Sequence, residues 1–487
     1  MTRTRYILPL VLVVIVGGLT LWQQSNLSSP QGVRAAEPTV SGLSSVAIAK
    51  VPHIQQEPDF CGEACAAMFL AKLGRTVDQD YVFDKSGLDP IHGRGCYTKE
   101  LATSLKTIGF KLGDIWYSVN TTDAEREMQA QFQALHRDLV RGVPSIICMH
   151  YNDQPNTTEH FRLILGYDAS TDEVLYHEPA IRDGAYQRMK REMLIELWPL
   201  KYRPDRWSVI RMPLEPGRVV NERISTRYTD ADFAQHIRKL KKRLPSEDFK
   251  IVIQKPFVVV GDESLETVKR RSLQTVKWAV DRIKKDYFAE DPDEIIDIWL
   301  FKDKASYETN TVKLFGEKPG TPYGYYSPTH RALVMNISTG GGTLVHEIVH
   351  PFMASNFPAC PSWFNEGLAS LYEQCRDNQG HIWGSTNWRL RVLQLAIASD
   401  RVPAFKELCS TTTNEFYRED PGTNYSQARY LCYYLQEQGK LVDYYHAFRK
   451  NAQKDPGGYQ TLAEVLGEKD LKQFKKKWEQ YVSKLRY

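Results

Sequence analysis

The chain has 487 residues, which is too long for one ordinary hydrophobic core, so two domains with connecting segments are expected. Its 63 basic and 59 acidic side chains give a net charge of only +4. Because binding to phosphate backbones needs an excess of Lys and Arg, this balance excludes nucleic acid as the main partner. The hydrophobic fraction of 42% is that of a globular protein, not of a disordered or fibrous one.

The first 22 residues have the pattern of an export signal or a short membrane anchor. Two arginines are followed by an uncharged apolar run over residues 7–22, ILPLVLVVIVGGLTLW. The run is slightly short for a full span, and the sequence leaves a cleaved signal peptide and a retained membrane tether both open. In either case the rest of the chain is expected to be exported, as a secreted or anchored extracytoplasmic protein. Residues 23–45 are rich in Ser, Pro, Gly and Ala and are predicted to be a flexible linker.

Residues 46–212 form the first predicted domain. Three helical patterns precede three strand-like runs, and helices followed by a strand-rich half indicate an α+β domain. The helical patterns lie at 61–74, 98–109 and 124–141, and the strand-like runs lie at 144–151, 160–168 and 173–179.

A candidate cysteine site lies in this first domain. The segment DFCGEACAAM puts Cys61 at the start of a predicted helix, where unpaired N–H groups stabilise a thiolate. Gln55, six residues earlier, is a candidate side-chain donor to an oxyanion. His160 begins one strand and Glu178 ends the next, so antiparallel pairing would bring a base and its orienting carboxylate together.

This arrangement resembles the papain-like double-glycine leader peptidases over roughly residues 50–200. Their pattern is a Gln, then Asp-Cys-Gly, a His heading an apolar strand, and an Asp before Pro. The resemblance implies a papain-like fold in which Cys61 is the nucleophile, His160 the base, Gln55 the oxyanion donor and Glu178 the orienting group. Two differences stand out: the chain reads DFCG, with Phe60 inserted, and it has Glu in place of the Asp.

The cysteines also have a purely structural interpretation. The chain has eight of them, and in an exported protein they can pair as disulfides. Cys61 and Cys65 can therefore be half-cystines or small core residues. Cys360 and Cys375 flank the second candidate site and are predicted to form a disulfide.

Residues 213–250 are predicted to be a linker with an amphipathic helix at 229–243, and residues 251–487 a second α+β domain that is mostly helical. The second domain opens with strands, then a long helix, and continues with helices after three consecutive glycines. The predicted strands are 250–262, 295–302 and 331–338 (RALVMNIS), and the long helix is 263–287.

The helix that follows carries a candidate metal site. His346 and His350 are four residues apart, so both imidazoles leave one face of a helix and can bind one Zn²⁺. Glu347 lies beside them as a candidate general base. Glu366, in the segment WFNEGLASLYE, is the candidate third ligand. The alternative is a buried helix whose two histidines are satisfied inside a core.

HEIVH with WFNEGLASLYE resembles the glutamate-zincin metallopeptidases over roughly residues 251–435. The resemblance implies a zinc-dependent peptidase that hydrolyses peptide bonds through a metal-bound water, with His346, His350 and Glu366 as ligands. It also implies an oxyanion-stabilising tyrosine, for which Tyr425 is the candidate, and a substrate paired along the strand RALVMNIS as an added edge strand. The chain lacks the Gly-x-Met-Glu-Asn segment of the aminopeptidase branch, which favours an endopeptidase.

The sequence therefore predicts an exported protein with two peptidase-like domains, one of cysteine type and one zinc-dependent, acting on a peptide or protein substrate. Two alternatives stay open. In the first, the chain is mainly a cysteine peptidase with an accessory metal domain. In the second, neither site turns over, and the protein is an extracytoplasmic peptide-binding protein.

Overall fold

A computed structural model describes residues 42–219, 227–418 and 423–487. The predicted signal or anchor at 1–22 and almost all of the predicted linker at 23–45 lie outside the described residues. Among the helices that the structure describes, none is long and apolar enough to cross a membrane. The predicted α+β class is confirmed, with a sheet-based first half and a second half that is mostly helical.

The first half is built on a seven-stranded antiparallel sheet. Its strand order is β3-β8-β4-β5-β6-β7, with β1 paired to β5, while β2 and β9 form a separate pair. The strands are β1 (Val46–Ala47), β2 (Phe110–Lys111), β3 (Trp116–Asn120), β4 (Ser145–His150), β5 (Glu159–Asp168), β6 (Glu173–His177), β7 (Gln187–Lys190), β8 (Arg206–Pro213) and β9 (Glu215–Pro216). The helices are α1 (Cys61–Lys72), α2 (Gln79–Asp84), α3 (Thr98–Ile108), α4 (Ala124–Val140) and α5 (Arg191–Leu197).

Both faces of this sheet are covered, because successive side chains of a strand point to opposite sides. On β5, Phe161 and Leu163 join the core that contains α1 and α3. Ile164 joins the opposite core, which contains α4. The helices and strands predicted for this half all form close to their predicted bounds, whereas β3 and β8 were not predicted.

The second half contains a five-stranded mixed sheet and, in the described residues, thirteen further α-helices and one π-helical segment. The strands are β10 (Lys250–Gln254), β11 (Phe257–Gly261), β12 (Ile296–Phe301), β13 (Gly324–Ser327) and β14 (Ala332–Asn336), followed by the hairpin β15 (Cys375–Asn378) and β16 (His381–Gly384). The helices before the hairpin are α6 (Asp230–Lys241), α7 (Leu265–Arg271), a π-helical segment (Ser272–Lys277), α8 (Trp278–Asp286), α9 (Lys304–Phe315), α10 (Gly342–Asn356) and α11 (Ser362–Leu371). Those after it are α12 (Arg389–Ala398), α13 (Phe405–Ser410), α14 (Thr413–Arg418), α15 (Asn424–Glu437), α16 (Leu441–Asn451), α17 (Tyr459–Leu466) and α18 (Leu471–Lys484).

The order of the second sheet corrects one expectation. Its strands run β10-β11-β12-β14-β13, so β14, the strand RALVMNIS, is an interior strand. The short strand β13 pairs antiparallel with β14 and forms the edge of the sheet. The expected pairing of substrate along RALVMNIS is therefore wrong, because both edges of that strand already pair with neighbours.

Helix α6 packs against both halves. Ala231 and Ala234 belong to the core of the first half. Phe233, Ile237 and Leu240 belong to the core on one face of the second sheet. The predicted linker at 213–250 therefore contains a helix with two apolar faces, each buried against a different sheet. The position of the domain boundary within this segment stays a prediction.

The cysteines are all free thiols, so the predicted Cys360–Cys375 disulfide is not formed. Helix α11 lies between these two residues along the chain. A ten-residue helix spans about 15 Å, whereas disulfide-bonded residues need Cα atoms within about 7 Å of each other. The helix thus keeps the two thiols apart.

Acidic side chains crowd together where α2 meets α6. The pKa of Asp80 is raised from its ordinary value of 3.8 to about 7, mainly by burial and in addition by the nearby carboxylates of Glu57, Asp78 and Asp232. One carboxylate oxygen of Asp80 is buried and has no hydrogen-bond partner in the described part of the chain. A charge at this position therefore opposes folding at neutral pH.

Replacing Asp80 by Asn should stabilise the protein at neutral and alkaline pH. Because the folded pKa is raised, the folded protein holds this proton longer than the unfolded chain, and stability falls as pH rises from about 4 to about 7. Asp80→Asn removes that loss, so its gain in Tm over the parent should grow between pH 5 and pH 8. The matched control is Asp183→Asn, at an exposed position, which should leave Tm unchanged at both pH values. A gain that is constant with pH would contradict the raised pKa.

Candidate active sites

The first candidate site is a cleft of about 490 Å³ lined by Cys61 and His160, among other residues. Cys61 is the first residue of α1, and the small residues that follow it allow this helix to lie close against β5. The backbone N–H of Phe161, next to His160, hydrogen-bonds the Cys61 sulfur. The structure thus puts the predicted nucleophile and the predicted base on the walls of one cleft.

Two opposing effects act on the Cys61 thiol. The pKa is raised to about 12 by burial, although the backbone N–H groups of Phe161 and of the helix start act to lower it. The N–H groups at the helix start therefore act in the predicted direction, but burial outweighs them. The thiol is protonated at neutral pH, so its reactivity has to depend on a neighbouring base.

The predicted pairing of His160 with Glu178 is present. Strands β5 and β6 pair antiparallel with Leu163 opposite His177, which brings the next residue, Glu178, beside His160. The His160 Nε2 atom lies 2.5 Å from Glu178 Oε1. Because Nε2 is hydrogen-bonded to the carboxylate, Nδ1 is the ring nitrogen that can accept a proton from the thiol.

A third residue, Arg162, completes this buried group. Arg162 follows His160 by two positions on β5, and its Nε donates to the other carboxylate oxygen of Glu178 at 2.6 Å. Burial alone would raise the pKa of Glu178, but His160 and Arg162 together lower it below its ordinary value. Glu178 is therefore a charged acceptor, despite having one more methylene group than Asp. The signal for Arg162 was an arginine inside the otherwise apolar segment FRLIL.

The residue predicted as oxyanion donor, Gln55, does not line the cleft, and its neighbour Gln56 does. Gln55 is exposed, whereas Gln56 lines the cleft with Cys61. The backbone N–H of Gln56 donates to Pro179 at 2.9 Å, which fixes this segment beside Glu178. Adjacent residues of an extended segment point to opposite sides, so only one of two consecutive glutamines can face the thiol. The structure makes that residue Gln56.

The second candidate site is formed by helices α10 and α11. Ligand atoms of His346, His350 and Glu366 all lie within 4.8 Å of one another. Glu366 Oε2 is 3.2 Å from His346 Nε2, and Glu366 Oε1 is 3.8 Å from His350 Nε2. Glu347 Oε2 lies 3.9 Å from His350 Nε2. The two imidazoles and two carboxylates that the sequence singled out therefore come together.

Close helix packing holds Glu366 in this position. A Cβ atom at Gly367 would lie 3.0 Å from the carbonyl oxygen of Ala428, so the glycine of the NEG segment lets α11 approach α15. The buried Arg429 of α15 donates to the carbonyls of Ser370 and Leu371 at the end of α11. Because these carbonyls have no partner within the helix, the guanidinium stabilises its C-terminus.

A further carboxylate, Glu373, was missed in the sequence. Its Oε1 lies 3.4 Å from His346 Nδ1, on the side of the ring away from Glu366. Arg389 pairs with Glu373 at 2.8 Å. Burial opposes ionisation, but His346 and Arg389 lower the pKa of Glu373 to about 2. A carboxylate on the second ring nitrogen fixes the orientation of a ligating histidine. The available signal was a second glutamate at the end of the segment WFNEGLASLYE, seven residues after Glu366.

Two tyrosines lie next to the same group. The Tyr417 hydroxyl donates to Glu366 Oε1 at 2.6 Å. Tyr425, the predicted oxyanion-stabilising residue, packs with its ring 6.1 Å from that of Tyr417 and 5.0 Å from the Arg389 guanidinium. Burial raises the pKa of both hydroxyls, so both are protonated donors at neutral pH. The role predicted for Tyr425 stays a prediction, and Tyr417 is the residue that touches a candidate ligand.

The side chains of this second site fit a divalent cation. Glu366 Oε2 is buried and has no hydrogen-bond donor among the described residues. The carboxylates of Glu347, Glu366 and Glu373 against the single guanidinium of Arg389 leave two negative charges, which one divalent cation would neutralise. Two imidazole nitrogens and one carboxylate oxygen are a ligand set that Zn²⁺ prefers at catalytic sites.

Comparison with known proteins bears on the first site. Residues 48–203 match the sequence model of the Peptidase_C39 like family. The match supports a peptidase of the cysteine type in this part of the chain, and a peptidase acts on a peptide or protein substrate. It covers β5, which carries His160, and β6, which Glu178 directly follows, and it ends before α6. No curated protein matches the chain.

The reactivity of Cys61 should depend on His160. Because the thiol has a pKa of about 12, we expect His160→Ala to slow its alkylation by iodoacetamide at pH 7.5 about tenfold or more. Mass spectrometry of the labelled peptides measures each cysteine separately. Cys375 is the internal control, since burial raises its pKa to about 12 as well, and its labelling should not change. Equal rates for Cys61 in the parent and the variant would contradict a role for His160 as its base.

Proposed function

We propose that this protein is a peptidase with two separate sites, one a cysteine site at Cys61 and the other a zinc site at His346, His350 and Glu366. The convergence of two imidazole nitrogens and a carboxylate oxygen within 4.8 Å is the observation that supports the zinc site best. The match of residues 48–203 to a cysteine peptidase family supports the other. On the pattern of residues 1–22, we propose that both sites work outside the cytoplasm.

At the zinc site, His346, His350 and Glu366 would hold the ion. When bound, Zn²⁺ supplies a Lewis acid that polarises the scissile carbonyl and makes water acidic enough to attack at neutral pH. Glu347 takes the proton of the attacking water and passes it to the leaving amine. Glu373, paired with Arg389, keeps the His346 ring oriented. Tyr425 and Tyr417 are protonated donors beside this group, and we propose Tyr425 for the stabilisation of the oxyanion.

The edge strand β13 supports an endopeptidase. It contacts α10, the helix that carries His346 and His350, and its outer edge pairs with no strand among the described residues. An extended peptide can add to such an edge through main-chain hydrogen bonds, which requires residues on both sides of the scissile bond. This assigns to β13 the role that the sequence had suggested for β14.

At the cysteine site, the Cys61 thiol attacks the scissile carbonyl carbon as His160 Nδ1 removes its proton. The same nitrogen then protonates the leaving amine, and water hydrolyses the thioester. Glu178 stays ionised because His160 and Arg162 both donate hydrogen bonds to it, and it stabilises the imidazolium that forms. The Cys61 N–H and the Gln56 side-chain amide are the donors for the oxyanion.

Substitution at each site separates the two activities. Glu347→Gln should abolish cleavage that a chelator also abolishes, while the zinc content of the protein stays at one ion per chain, because the ligands are intact. Cys61→Ser, the matched variant of the other site, should leave that chelator-sensitive cleavage unchanged and abolish cleavage sensitive to iodoacetamide. A library of unstructured peptides, analysed by mass spectrometry, reports both. Chelator-sensitive cleavage that persists in Glu347→Gln, or metal-free parent protein, would refute the zinc site.

The two adjacent glutamines provide a test of the oxyanion donor. Gln56→Ala should lower kcat for the Cys61-dependent cleavage by about 10²-fold, the usual effect of removing one such donor. Gln55→Ala should leave kcat unchanged, because the Gln55 side chain is exposed and does not line the cleft. The reverse result, with the loss at Gln55, would show that the sequence had identified the donor correctly. Steady-state kinetics on one peptide, with the zinc site silenced by Glu347→Gln, give the comparison.

A further inference from the structure

Helix α6 contacts two chain segments beside the cysteine cleft. The first contains Pro58 and Asp59, and the second is residues 92–95. Arg238 Nε donates to Asp59 Oδ2 at 2.6 Å, and Gln235 Nε2 donates to the carbonyl of Pro58 at 2.9 Å. Lys241 Nζ donates to the carbonyl of His92 at 2.8 Å. Asp59 lines the cleft together with Cys61. Three polar side chains of α6 therefore hold these two segments beside the first site.

The first of these segments is a turn between the two oxyanion donors. The N–H of Phe60 donates to the carbonyl of Glu57 at 3.0 Å, and Asp59 between them has a left-handed backbone with φ of 70°. Phe60, the residue inserted relative to the Asp-Cys-Gly pattern, is buried and stacks on Phe83 with ring centroids 5.0 Å apart. The turn accommodates the inserted residue, and it sets the distance between Gln56 and the N–H of Cys61.

A left-handed conformation at a non-glycine residue is strained and persists only when its surroundings hold it. Two contacts hold Asp59. Its side chain is bound by Arg238. Its carbonyl is covered by the second segment, where a Cβ atom at Gly95 would lie 1.9 Å from that oxygen. That second segment is itself packed on α6, because a Cβ at Gly93 would lie 2.9 Å from the backbone nitrogen of Arg238.

Helix α6 lies outside the residues that match the cysteine peptidase family and is fixed by the second half of the chain. Phe233, Ile237 and Leu240 bury its other face against the second sheet. His236 Nε2 lies 2.7 Å from the buried Asp297 of β12. The position of Arg238 relative to the cleft is thus set by the second half of the protein.

We propose that α6 is part of the cysteine site, with Arg238 and Gln235 as positioning residues that hold the Pro58–Asp59 turn and thereby keep Gln56 and the Cys61 N–H at the spacing an oxyanion requires. This inference rests on the proposed function of Cys61. The second half of the chain then contributes to catalysis at the first site without supplying a reacting group. A misplaced oxyanion donor stabilises the transition state less well and affects the binding of the substrate little. We therefore expect kcat to fall and KM to change little.

The test uses the full chain with the zinc site silenced by Glu347→Gln, and a peptide that the parent cleaves through Cys61. Arg238→Ala should lower kcat about tenfold or more and change KM by less than about threefold. Arg238→Lys keeps the charge and should recover most of the loss. Arg243→Ala, which removes the same charge at an exposed position just beyond α6, is the matched control and should behave as the parent.

The rate of Cys61 alkylation provides the second readout. Alkylation needs the thiol and His160 but no oxyanion donor, so Arg238→Ala should leave it unchanged, together with the zinc content. Parallel losses of kcat, alkylation and zinc would mean general damage and overturn the proposal, as would an unchanged kcat. Should Arg238→Ala not fold, Arg238→Gln, with its uncharged amide, takes its place under the same criteria. Cleavage that persists in Cys61→Ser would instead refute the proposed function of the cysteine site.

Discussion

Both candidate sites depend on a buried carboxylate that is kept charged by a histidine and an arginine beside it. Burial raises the pKa of Glu178 and of Glu373 and so opposes their ionisation, and a neutral carboxyl group would orient an imidazole weakly. Glu178 is bonded by His160 and Arg162, and Glu373 is paired with His346 and Arg389; in each case the histidine and the arginine together lower the pKa of the carboxyl below its ordinary value. Removing one partner from such a buried pair costs about 3–5 kcal/mol, because the other charge is left in a medium that solvates it poorly. The histidine geometry at each site therefore rests on an arginine that performs no chemistry itself.

The two sites solve the same problem on different scaffolds. At the first site, antiparallel pairing of β5 and β6 sets His160 beside Glu178, so a strand register decides the contact. At the second, His346 and Glu366 lie on separate helices, and packing of α11 on α15 sets their separation. The register of two paired strands changes only in steps of whole residues. The distance between two packed helices, in contrast, varies with the volume of the side chains between them. Gly367 at that contact is the residue on which the closeness of approach depends.

Helix α6 connects the two halves of the protein by packing against both of them. A segment that the sequence suggested as a linker buries alanines against one core and larger apolar side chains against another. A helix with two buried faces holds its neighbours in one arrangement, whereas a solvated linker would not. The geometry of the cleft around Cys61 is consequently a property of more of the chain than the residues 48–203 that match a family.

The individual site residues show how far the sequence reaches. Spacing on one helix brought out His346 and His350, and strand order brought out His160 and Glu178, because local periodicity governs both. The role of oxyanion donor was predicted for Gln55 and not for Gln56, because a shift of one residue in an extended segment reverses the side that faces the cleft. Tyr417 was missed because its contact with Glu366 spans 51 residues of sequence and follows no period.

The sequence by itself determined the α+β class, the main helices and strands around the two sites, and the identity of the residues with chemistry to offer, because these follow from apolar periodicity and from side-chain type. The tertiary structure alone decided which strand forms the edge of the second sheet, and that Cys360 and Cys375 stay apart. It also decided that burial outweighs the helix N-terminus at Cys61. These outcomes depend on which distant segments pack together and on how much solvent they exclude, and neither quantity is encoded in a local pattern.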